Sequence, residues 1–359
     1  MGLQRHLVRV LRLLAGLAAL FLIVGTGLVI AQRQSVVLWV IDSLWSPPAT
    51  AQDEERVVNV PPGATARDIG ALLVQQGLIT DARAFSIAAG LMGAGTDLKA
   101  GEYRVSPGIR VTSMVTTLRE GRNRLVRVVI PEGRRAEEIA EIIAASGVAE
   151  KTDLLRLIKA GDSARLQNER PSGSTLEGYL FPETYLVPPD FGAAKFIDLM
   201  LATFENRVPP SVRNQASPQG LTFYQTLVLA SIVERETAVA DERPLVAGVF
   251  LNRLEAGLPL AADPTIQYAL AFDPQQQRQF GWWKRDLTYD DLALVSAFNT
   301  YKLAALPPSP ICNPGLAAIE AVLHPKESDY VYFVARPDGT HAFAETFEEH
   351  QRNIARYRQ

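Results

Sequence analysis

Hydrophobic positions along the chain form three kinds of pattern. Near the N-terminus, an uncharged run extends from Leu13 to Ala31 and is long enough to cross a bilayer as a helix. Between residues 56 and 185, short β-rich segments alternate with amphipathic helices. The segment Leu221–Thr237 is apolar around most of its helical circumference, which predicts a buried helix. The pattern also predicts helices at Ala193–Val208, Arg243–Ala256, Asp290–Phe298 and Gly315–Leu323, and strands at Tyr330–Ala335 and His341–Phe343. We therefore predict an α+β fold behind an N-terminal transmembrane helix.

The charges around the first apolar run predict its orientation in the membrane. Arg5, Arg9 and Arg12 precede the run, and basic flanks stay on the cytoplasmic side. We expect a cytoplasmic basic tail over 1–12, a single-pass anchor over 13–31 in the cell (inner) membrane, and a Pro-rich acidic linker over 32–55. The rest of the chain would lie on the periplasmic or extracytoplasmic side. A cleaved signal peptide is the alternative, but the run exceeds the usual apolar core of about 7–15 residues.

Two segments of the chain repeat with an offset of 70 residues. Val58–Gly63 and Val128–Gly133 each combine a short β-rich stretch with a Pro-x-Gly turn. An amphipathic helix follows each of them and ends at Gly77 or Gly147. Each copy is then completed by a second helix and a returning strand: Ala82–Leu91 with Gly101–Val105, and Lys151–Ile158 with Glu177–Phe181.

Strand–helix–helix–strand in about 50 residues is similar to a LysM module, a common carrier of N-acetylated sugar polymers. We therefore predict a LysM-like module over 56–125. The second copy, at about 126–185, is predicted to support a larger α+β catalytic domain over 126–359. A small α+β building block without a ligand is the alternative for both copies.

Composition excludes several classes of function. The chain has 359 residues and a formal net charge of −3, which argues against a nucleic-acid binder. The four histidines are scattered, and the sequence contains no zinc spacing and no glycine-rich nucleotide motif. We therefore expect neither a metal nor an organic cofactor. The single cysteine, Cys312, lacks an obvious histidine partner and is interpreted as a packing residue.

The buried helix ends in two carboxylates, Glu234 and Glu236. Residues two positions apart are separated by about 200° around a helix, so at most one of them can face a given cleft. Burial and the negative end of the helix dipole both raise the pKa of a carboxyl group placed there. A carboxylic acid that keeps its proton near neutral pH is suited to cleaving a glycosidic bond. A solvated helix end with ion pairs through Arg235 is the alternative.

Sugar-binding clefts use flat aromatic faces and amide side chains, and the chain beyond Thr175 is rich in both. Loops on a rigid scaffold often carry such sites. The candidates are Tyr179, Phe181, Tyr185, Tyr268, Trp282, Trp283, Tyr301, Asn252, Asn299 and Asn313.

This part of the chain also contains a series of short motifs in a defined order. They are Leu176–Tyr185, Ala230–Thr237, Val249–Leu254, Asp263–Thr265, Asn299–Tyr301, Pro307–Gly315, His324–Pro325 and Tyr332–Val334. The series resembles the MltG (YceG-like) family of endolytic murein transglycosylases from the anchor to near the C-terminus. Ser309 departs from the family, which usually has glycine in this Pro-Pro-Gly-Pro turn, and this puts the shape of the loop in question.

The resemblance implies a peptidoglycan lytic transglycosylase, a carbon–oxygen lyase. Such an enzyme cleaves the β-1,4 bond between MurNAc and GlcNAc within nascent glycan strands and leaves 1,6-anhydro-MurNAc ends. The family's essential glutamate matches Glu236, which would act first as general acid and then as base. We assign substrate binding to Glu234, Tyr179, Asn252, Asp263, Asn299, Tyr301 and Asn313. Glycan strands are the expected partner, and peptidoglycan synthases of the elongation or division machinery are an open option, as is a role in terminating strand elongation.

Two other functions fit the same sequence. The first is a non-catalytic, membrane-anchored scaffold that binds peptidoglycan within a cell-wall synthesis complex. The second is a hydrolase of another polysaccharide, with Glu183, Asp263 or Asp241 as its second acid.

Overall fold

A computed structural model describes residues 33–47, 54–121, 124–237 and 239–357. The predicted tail and anchor, 1–12 and 13–31, lie outside these residues. Within the described ranges, no helix is both long and apolar enough to cross a membrane. The chain divides into two compact units between Val126 and Arg127.

The N-terminal unit is built from two strands with two helices between them, flanked by further helices. Residues 33–45 are helical (α1). The elements that follow are β1 (Arg56–Val60), α2 (Ala66–Gln75), α3 (Ala82–Leu91), β2 (Gly101–Val105) and α4 (Val111–Glu120). Strand β1 pairs antiparallel with β2, with Val58 opposite Tyr103. Strand β2 continues antiparallel to the first residues of β3 (Arg124–Val129). The predicted helix Ala82–Leu91 and strand Gly101–Val105 are both confirmed.

Local sequence explains where the first helix of this unit starts and stops. The Thr65 side chain accepts a hydrogen bond from the N–H of Asp68, whose carboxylate accepts one from the N–H of Thr65, so α2 begins with a capping box. Gly77 follows the helix with a φ of 66°, a conformation that glycine adopts without strain. The inward faces of the helices then bury Leu73, Phe85 and Met114 completely.

The C-terminal unit contains the rest of β3, three further strands and most of the helices. In order they are α5 (Ala136–Ala145), α6 (Lys151–Ala160), β4 (Thr184–Val187), α7 (Ala193–Arg207), α8 (Pro210–Arg213), α9 (Phe223–Glu236), α10 (Arg243–Glu255), α11 (Asp263–Leu270), α12 (Pro274–Phe280), α13 (Tyr289–Leu292), α14 (Leu316–Leu323), β5 (Tyr332–Ala335), β6 (His341–Ala344) and α15 (Phe347–Tyr357). Strand β3 neighbours β4, whereas β5 and β6 form a separate antiparallel pair. The predicted α+β class is confirmed.

Two predicted elements differ from the structure because buried amide side chains form hydrogen bonds with the local backbone. The returning strand of the second repeat is Thr184–Val187 and not Glu177–Phe181, since the N–H groups of residues 178 and 180 both donate to the side-chain oxygen of Asn313 at 2.8 Å. The helix predicted at Asp290–Phe298 has only one turn. The side chain of Asn299 donates to the carbonyls of residues 292 and 294, which bends the chain at that point.

Gly70 marks a close contact between α2 and α3 that we use as a test of the N-terminal unit. A Cβ at this position would lie 2.4 Å from the carbonyl oxygen of Ala82. Gly70→Ala is therefore expected to lower the free energy of unfolding by about 1–3 kcal/mol. Gly90, on the exposed side of α3, has open space around it, so Gly90→Ala should instead raise that free energy by about 0.5–1 kcal/mol. Urea denaturation followed by circular dichroism measures both, and equal effects of the two substitutions would contradict this packing.

Candidate active site

Helix α9 is held on nearly every side, as its apolar sequence predicts. It begins with a second capping box, between Thr222 and Gln225, and the eight consecutive residues 226–233 are buried. Inside the helix, the Ser231 hydroxyl accepts a hydrogen bond from the N–H of Ile311 at 3.0 Å. The thiol of Cys312 donates to the carbonyl of Ser231 at 3.2 Å, so this cysteine packs as predicted. These contacts fix the C-terminal end of α9 to the proline-rich loop.

The two carboxylates at the end of α9 point into different surroundings. The side chain of Glu234 is 6% exposed, accepts a hydrogen bond from the N–H of Gly315 at 3.1 Å and lies 3.2 Å from the guanidinium of Arg243. Burial raises the pKa of the Glu234 carboxyl, while Arg243 and the N–H of Gly315 act in the opposite direction. Glu236 is half-buried and lines a separate cavity. The predicted separation of these two side chains is confirmed.

The cavity next to Glu236 has a volume of about 270 Å³, close to the lower end of known ligand pockets. Its walls come from the C-terminal ends of α9 and α10, one face of α15, the start of α11 and strand β5. Aromatic rings supply much of the surface: Tyr301, Tyr332, Phe333, Phe347 and His350 all line it. The His350 ring stacks on Tyr332 with 5.1 Å between ring centroids and 20° between planes. A carboxylate therefore faces an aromatic-lined space able to contact a sugar ring.

Arg253 brings a positive charge into the same cavity. Its guanidinium lies 5.6 Å from the centre of the Tyr332 ring. Burial lowers the pKa of Arg253, and its electrostatic interactions with Tyr332, Tyr301 and Glu236 act against this shift. Glu236 and Arg253 thus form an electrostatically coupled pair on the cavity wall.

A short turn after α13 positions two further polar groups in the cavity. The Tyr301 hydroxyl donates to the carboxylate of Asp263, the first residue of α11. The preceding residue, Thr300, binds the loop before α11: its hydroxyl lies 2.8 Å from that of Thr265, and its carbonyl accepts the N–H of Ala261 at 2.9 Å. Ala261 lines the cavity with a φ of 51°, a strained backbone conformation of the kind that clusters at functional sites.

Of the residues assigned to the site from sequence, the structure brings Glu236, Asp263 and Tyr301 together in this cavity. The other five lie elsewhere: Glu234 beside Arg243 and Gly315, and Tyr179, Asn252, Asn299 and Asn313 in contacts within the protein. Tyr179 has no exposed surface and packs against Phe204, with ring centroids 5.0 Å apart. The Asn252 amide donates to the carbonyls of residues 328 and 330 at 2.6 and 2.9 Å.

Asn299 and Asn313 are likewise fully buried, and their amides bond to the protein. The side-chain oxygen of Asn299 accepts a hydrogen bond from the N–H of Tyr301 at 3.0 Å, and this contact shapes the turn that carries Tyr301. Trp282 and Trp283 donate to Glu141 and Glu138 of α5, away from the cavity.

Sequence reasoning did not name Arg253 or the α15 side chains as site residues. Arg253 directly follows Asn252, whose side-chain amide is the candidate that the sequence offers in this helix. Helix α15 was not predicted, although the spacing of Phe347, His350 and Ile354 is that of one helical face and could have revealed it.

Comparison with known proteins places the chain in a family. The sequence model of the YceG-like family matches residues 58–356. The chain belongs to the YceG-like family. A protein of Bacillus subtilis (strain 168) named endolytic murein transglycosylase is 30% identical over 314 residues, which cover 84% of either chain. A protein of the same name from Streptococcus pneumoniae (strain D39) is 31% identical over 355 residues, covering 89% of this chain and 61% of that relative.

A solved structure is also similar. The crystal structure of a yceG-like protein from Listeria monocytogenes is 31% identical, with a TM-score of 0.55, over 84% of this chain and 99% of that one. The resemblance drawn from the motif series is therefore confirmed.

In this member of the YceG-like family, the proline-rich loop adopts its shape without glycine at position 309. Among the described residues, the amino acids other than glycine with a positive φ are Leu166, Gln219 and Ala261. Ser309 therefore has a backbone conformation open to most residues, and its hydroxyl lies 3.2 Å from the carbonyl of Pro310. The departure at Ser309 does not require strain.

Behind the loop, Asn313 and Glu177 form a buried polar pair that joins three segments. The Asn313 side chain donates to the carbonyl of Arg134 at 3.0 Å and to Glu177 at 2.6 Å. Both Glu177 oxygens lie 3.0 Å from the N–H of Ala136, which donates to them. Burial is the main cause that raises the pKa of Glu177 to about 8.

This raised pKa predicts how stability depends on pH. The unfolded chain ionises Glu177 near its ordinary value of 4.5, whereas the native state holds the proton up to about pH 8. The unfolded state therefore binds fewer protons between these values, so the free energy of unfolding should fall as pH rises from about 5 to 8, by of the order of 2–5 kcal/mol. Glu177→Gln should abolish this slope in urea titrations. Glu183→Gln, at a partly exposed ion pair with Arg207, serves as the control and should retain it.

Proposed function

We propose that the protein is an endolytic peptidoglycan lytic transglycosylase in which Glu236 transfers the proton. The observation that carries the proposal is the position of Glu236: it extends from a buried helix into an aromatic cavity that also holds Arg253 and the Asp263–Tyr301 pair. Relatives at about 30% identity bear the name endolytic murein transglycosylase, which supports the same reaction class.

The proposed reaction needs one carboxyl group in two protonation states. Protonated Glu236 donates its proton to the glycosidic oxygen between MurNAc and GlcNAc, and the bond from that oxygen to the MurNAc anomeric carbon breaks. The C6 hydroxyl of the same MurNAc attacks the anomeric carbon, and the carboxylate of Glu236 takes the hydroxyl proton. A 1,6-anhydro end forms, and no water is consumed. Arg253 favours the intermediate carboxylate because an opposite charge nearby stabilises the ionised form.

The remaining assigned residues divide into two groups under this proposal. Asp263 and Tyr301 contact the glycan directly, since both line the cavity. Glu234, Tyr179, Asn252, Asn299 and Asn313 act through the protein, by holding α9 and the surrounding loops in place.

We further propose that residues 13–31 anchor the enzyme in the cell membrane and that the N-terminal unit acts as a LysM-like carrier of the glycan. The basic flank before the anchor and the strand–helix–helix–strand order of that unit support this arrangement. Cleavage close to the membrane would act on nascent strands and could end their elongation, with peptidoglycan synthases as partners.

A hydrolase is the second candidate, because one specific observation favours it. Asp263 lines the same cavity as Glu236 and could activate a water molecule. The other acids considered for this role lie elsewhere: Glu183 pairs with Arg207, and Asp241 belongs to a short exposed turn. A non-catalytic scaffold would need only the binding surfaces and no proton donor.

Substitution of the proton donor tests the proposed acid. Glu236→Gln is expected to reduce the rate of glycan cleavage by at least about 10²-fold, because the amide cannot donate the proton. Glu234→Gln is the matched control: it should keep most of the activity and lower the midpoint of thermal unfolding by weakening the pair with Arg243. Product formation from purified peptidoglycan, followed by mass spectrometry, measures both. Full turnover by Glu236→Gln would move the acid to another residue.

The ends of the products separate the three candidate functions. Digestion in H₂¹⁸O should give anhydro ends without ¹⁸O for the lyase and reducing ends that carry ¹⁸O for a hydrolase. In the lyase, Asp263→Asn should raise KM through the lost contact while leaving the anhydro product unchanged. Binding of glycan strands with no product at any enzyme concentration would support the scaffold.

A further inference from the structure

A cavity in the C-terminal unit lies at the opposite end of α9 from Glu236. It has a volume of about 1180 Å³ and is lined by the start of α9, the end of α8 and the short turn Gln167–Glu169. Thirteen helical steps separate Phe223 from Glu236, a distance of about 20 Å along the helix axis. The cavity is therefore too far away to belong to the proposed proton-transfer site.

Buried charges form part of the wall of this cavity. The guanidinium of Arg213, which is 8% exposed, pairs with the carboxylate of Glu169, and both residues line the cavity. Arg170 lines it as well, with its terminal nitrogens held by the carbonyls of Gly161 at 2.9 Å and Thr175 at 3.5 Å.

Three polar atoms of these lining residues are buried without a hydrogen-bond partner among the described residues. They are the Nε atoms of Arg170 and Arg213 and one carboxylate oxygen, Oε2, of Glu169. Leaving such groups unpaired is unfavourable, and more so where the group is charged. A ligand that supplied both acceptors and donors would remove that cost.

Backbone strain is found beside the same cavity. Gln219 lines it with a φ of 60°, and Leu166, with a φ of 56°, directly precedes the turn that carries Glu169. Such a backbone conformation is unfavourable for a residue other than glycine and is maintained by its surroundings. The Gln219 amide donates to the carbonyl of Leu251 at 2.8 Å, so the conformation is fixed by the protein.

We infer that this cavity is a second binding site, for a short peptide that carries both carboxylate and amine groups. An anionic acceptor would satisfy the unpaired guanidinium nitrogens, and a cationic donor would satisfy the unpaired oxygen of Glu169. The charged side chains on the wall, Glu169 and Glu255 against Arg170 and Arg213, sum to zero, which favours a zwitterion over a polyanion. A neutral glycan would leave the unpaired Nε groups of Arg170 and Arg213 without an anionic acceptor.

The peptide stems attached to peptidoglycan glycans have this chemistry, because they contain free carboxylates and a diamino acid. Assigning the ligand to such a stem rests on the proposed function. A stem of four or five residues spans about 13–18 Å when extended. This is less than the distance from Glu236 to the cavity, so the stem bound there belongs to a MurNAc further along the strand than the one being cleaved. The site would then let the enzyme distinguish strands that carry peptides from strands that have lost them.

Binding of a free stem tetrapeptide that contains diaminopimelate tests the site without any turnover. Isothermal titration of the full-length protein, wild type and Glu236→Gln, should give submillimolar binding to the peptide. The same peptide with its amines acetylated, and an uncharged chitotetraose, should bind at least about tenfold more weakly at this site. No binding of the tetrapeptide at millimolar concentration overturns the inference. Equal binding of unrelated zwitterionic peptides would assign the site to protein segments and overturn the stem assignment.

Two variants localise the binding. Arg213→Met removes the guanidinium, and Asn214→Trp fills the cavity from an exposed position without removing an ion pair. Both variants should bind the tetrapeptide about tenfold or more weakly than the wild type does. Circular dichroism checks that they fold. Arg207→Met, which breaks the partly exposed Arg207–Glu183 pair outside the cavity, is the matched control and should bind as the wild type does. Unchanged affinity in Asn214→Trp would place the peptide elsewhere.

Kinetics connect this site to the glycan reaction. On strands that carry stems, Arg213→Met should raise KM by about tenfold with kcat unchanged. On strands stripped by an amidase, it should behave as the wild type does. If the protein binds the peptide but forms no product, the second site is supported and the proposed function is contradicted. Equal KM values of the wild type on both kinds of strand would overturn the stem assignment alone.

Discussion

The burial of helix α9 is the constraint on which the site depends. Because residues 226–233 are enclosed by the protein, the helix cannot rotate or slide to offer a different side chain to the cavity. Its last turn therefore assigns its two carboxylates to different environments: Glu234 is bound by Arg243 and the N–H of Gly315, and Glu236 faces the aromatic cavity. Hydrogen bonds from Ile311 and Cys312 to Ser231 hold the loop against the same helix.

Elements with a clear hydrophobic period could be predicted from the sequence. Helix Ala82–Leu91 and strand Gly101–Val105 have the predicted bounds, and α9 is buried as its apolar circumference indicated. The division of the two glutamates follows from helix geometry alone. A raised pKa of the kind expected for a carboxyl at this helix end is found at Glu234, whose side chain is 6% exposed. Sequence position cannot tell which of two neighbouring carboxylates the tertiary structure will enclose.

The remaining differences come from side chains whose partners are far away in sequence. Asn299 and Asn313 were chosen as sugar ligands because amides are common in glycan sites, yet their amides satisfy backbone groups that no local pattern reveals. The same contacts shorten one predicted helix and displace one predicted strand. Asp263 begins α11 with Pro264 in the first turn, a position that proline favours. Arg253 enters the cavity because α10 packs beside α9, which only the tertiary structure specifies.

The central claim is that Glu236 lies against the glycosidic oxygen of the bond to be cleaved. A crystal structure of the Glu236→Gln variant with a bound peptidoglycan tetrasaccharide measures this contact directly. We expect the glutamine amide within about 3 Å of the oxygen between MurNAc and GlcNAc, with the C6 hydroxyl of that MurNAc on the same side of the ring. A glycan bound with its scissile oxygen far from residue 236, or seated only outside the aromatic cavity, would contradict the account.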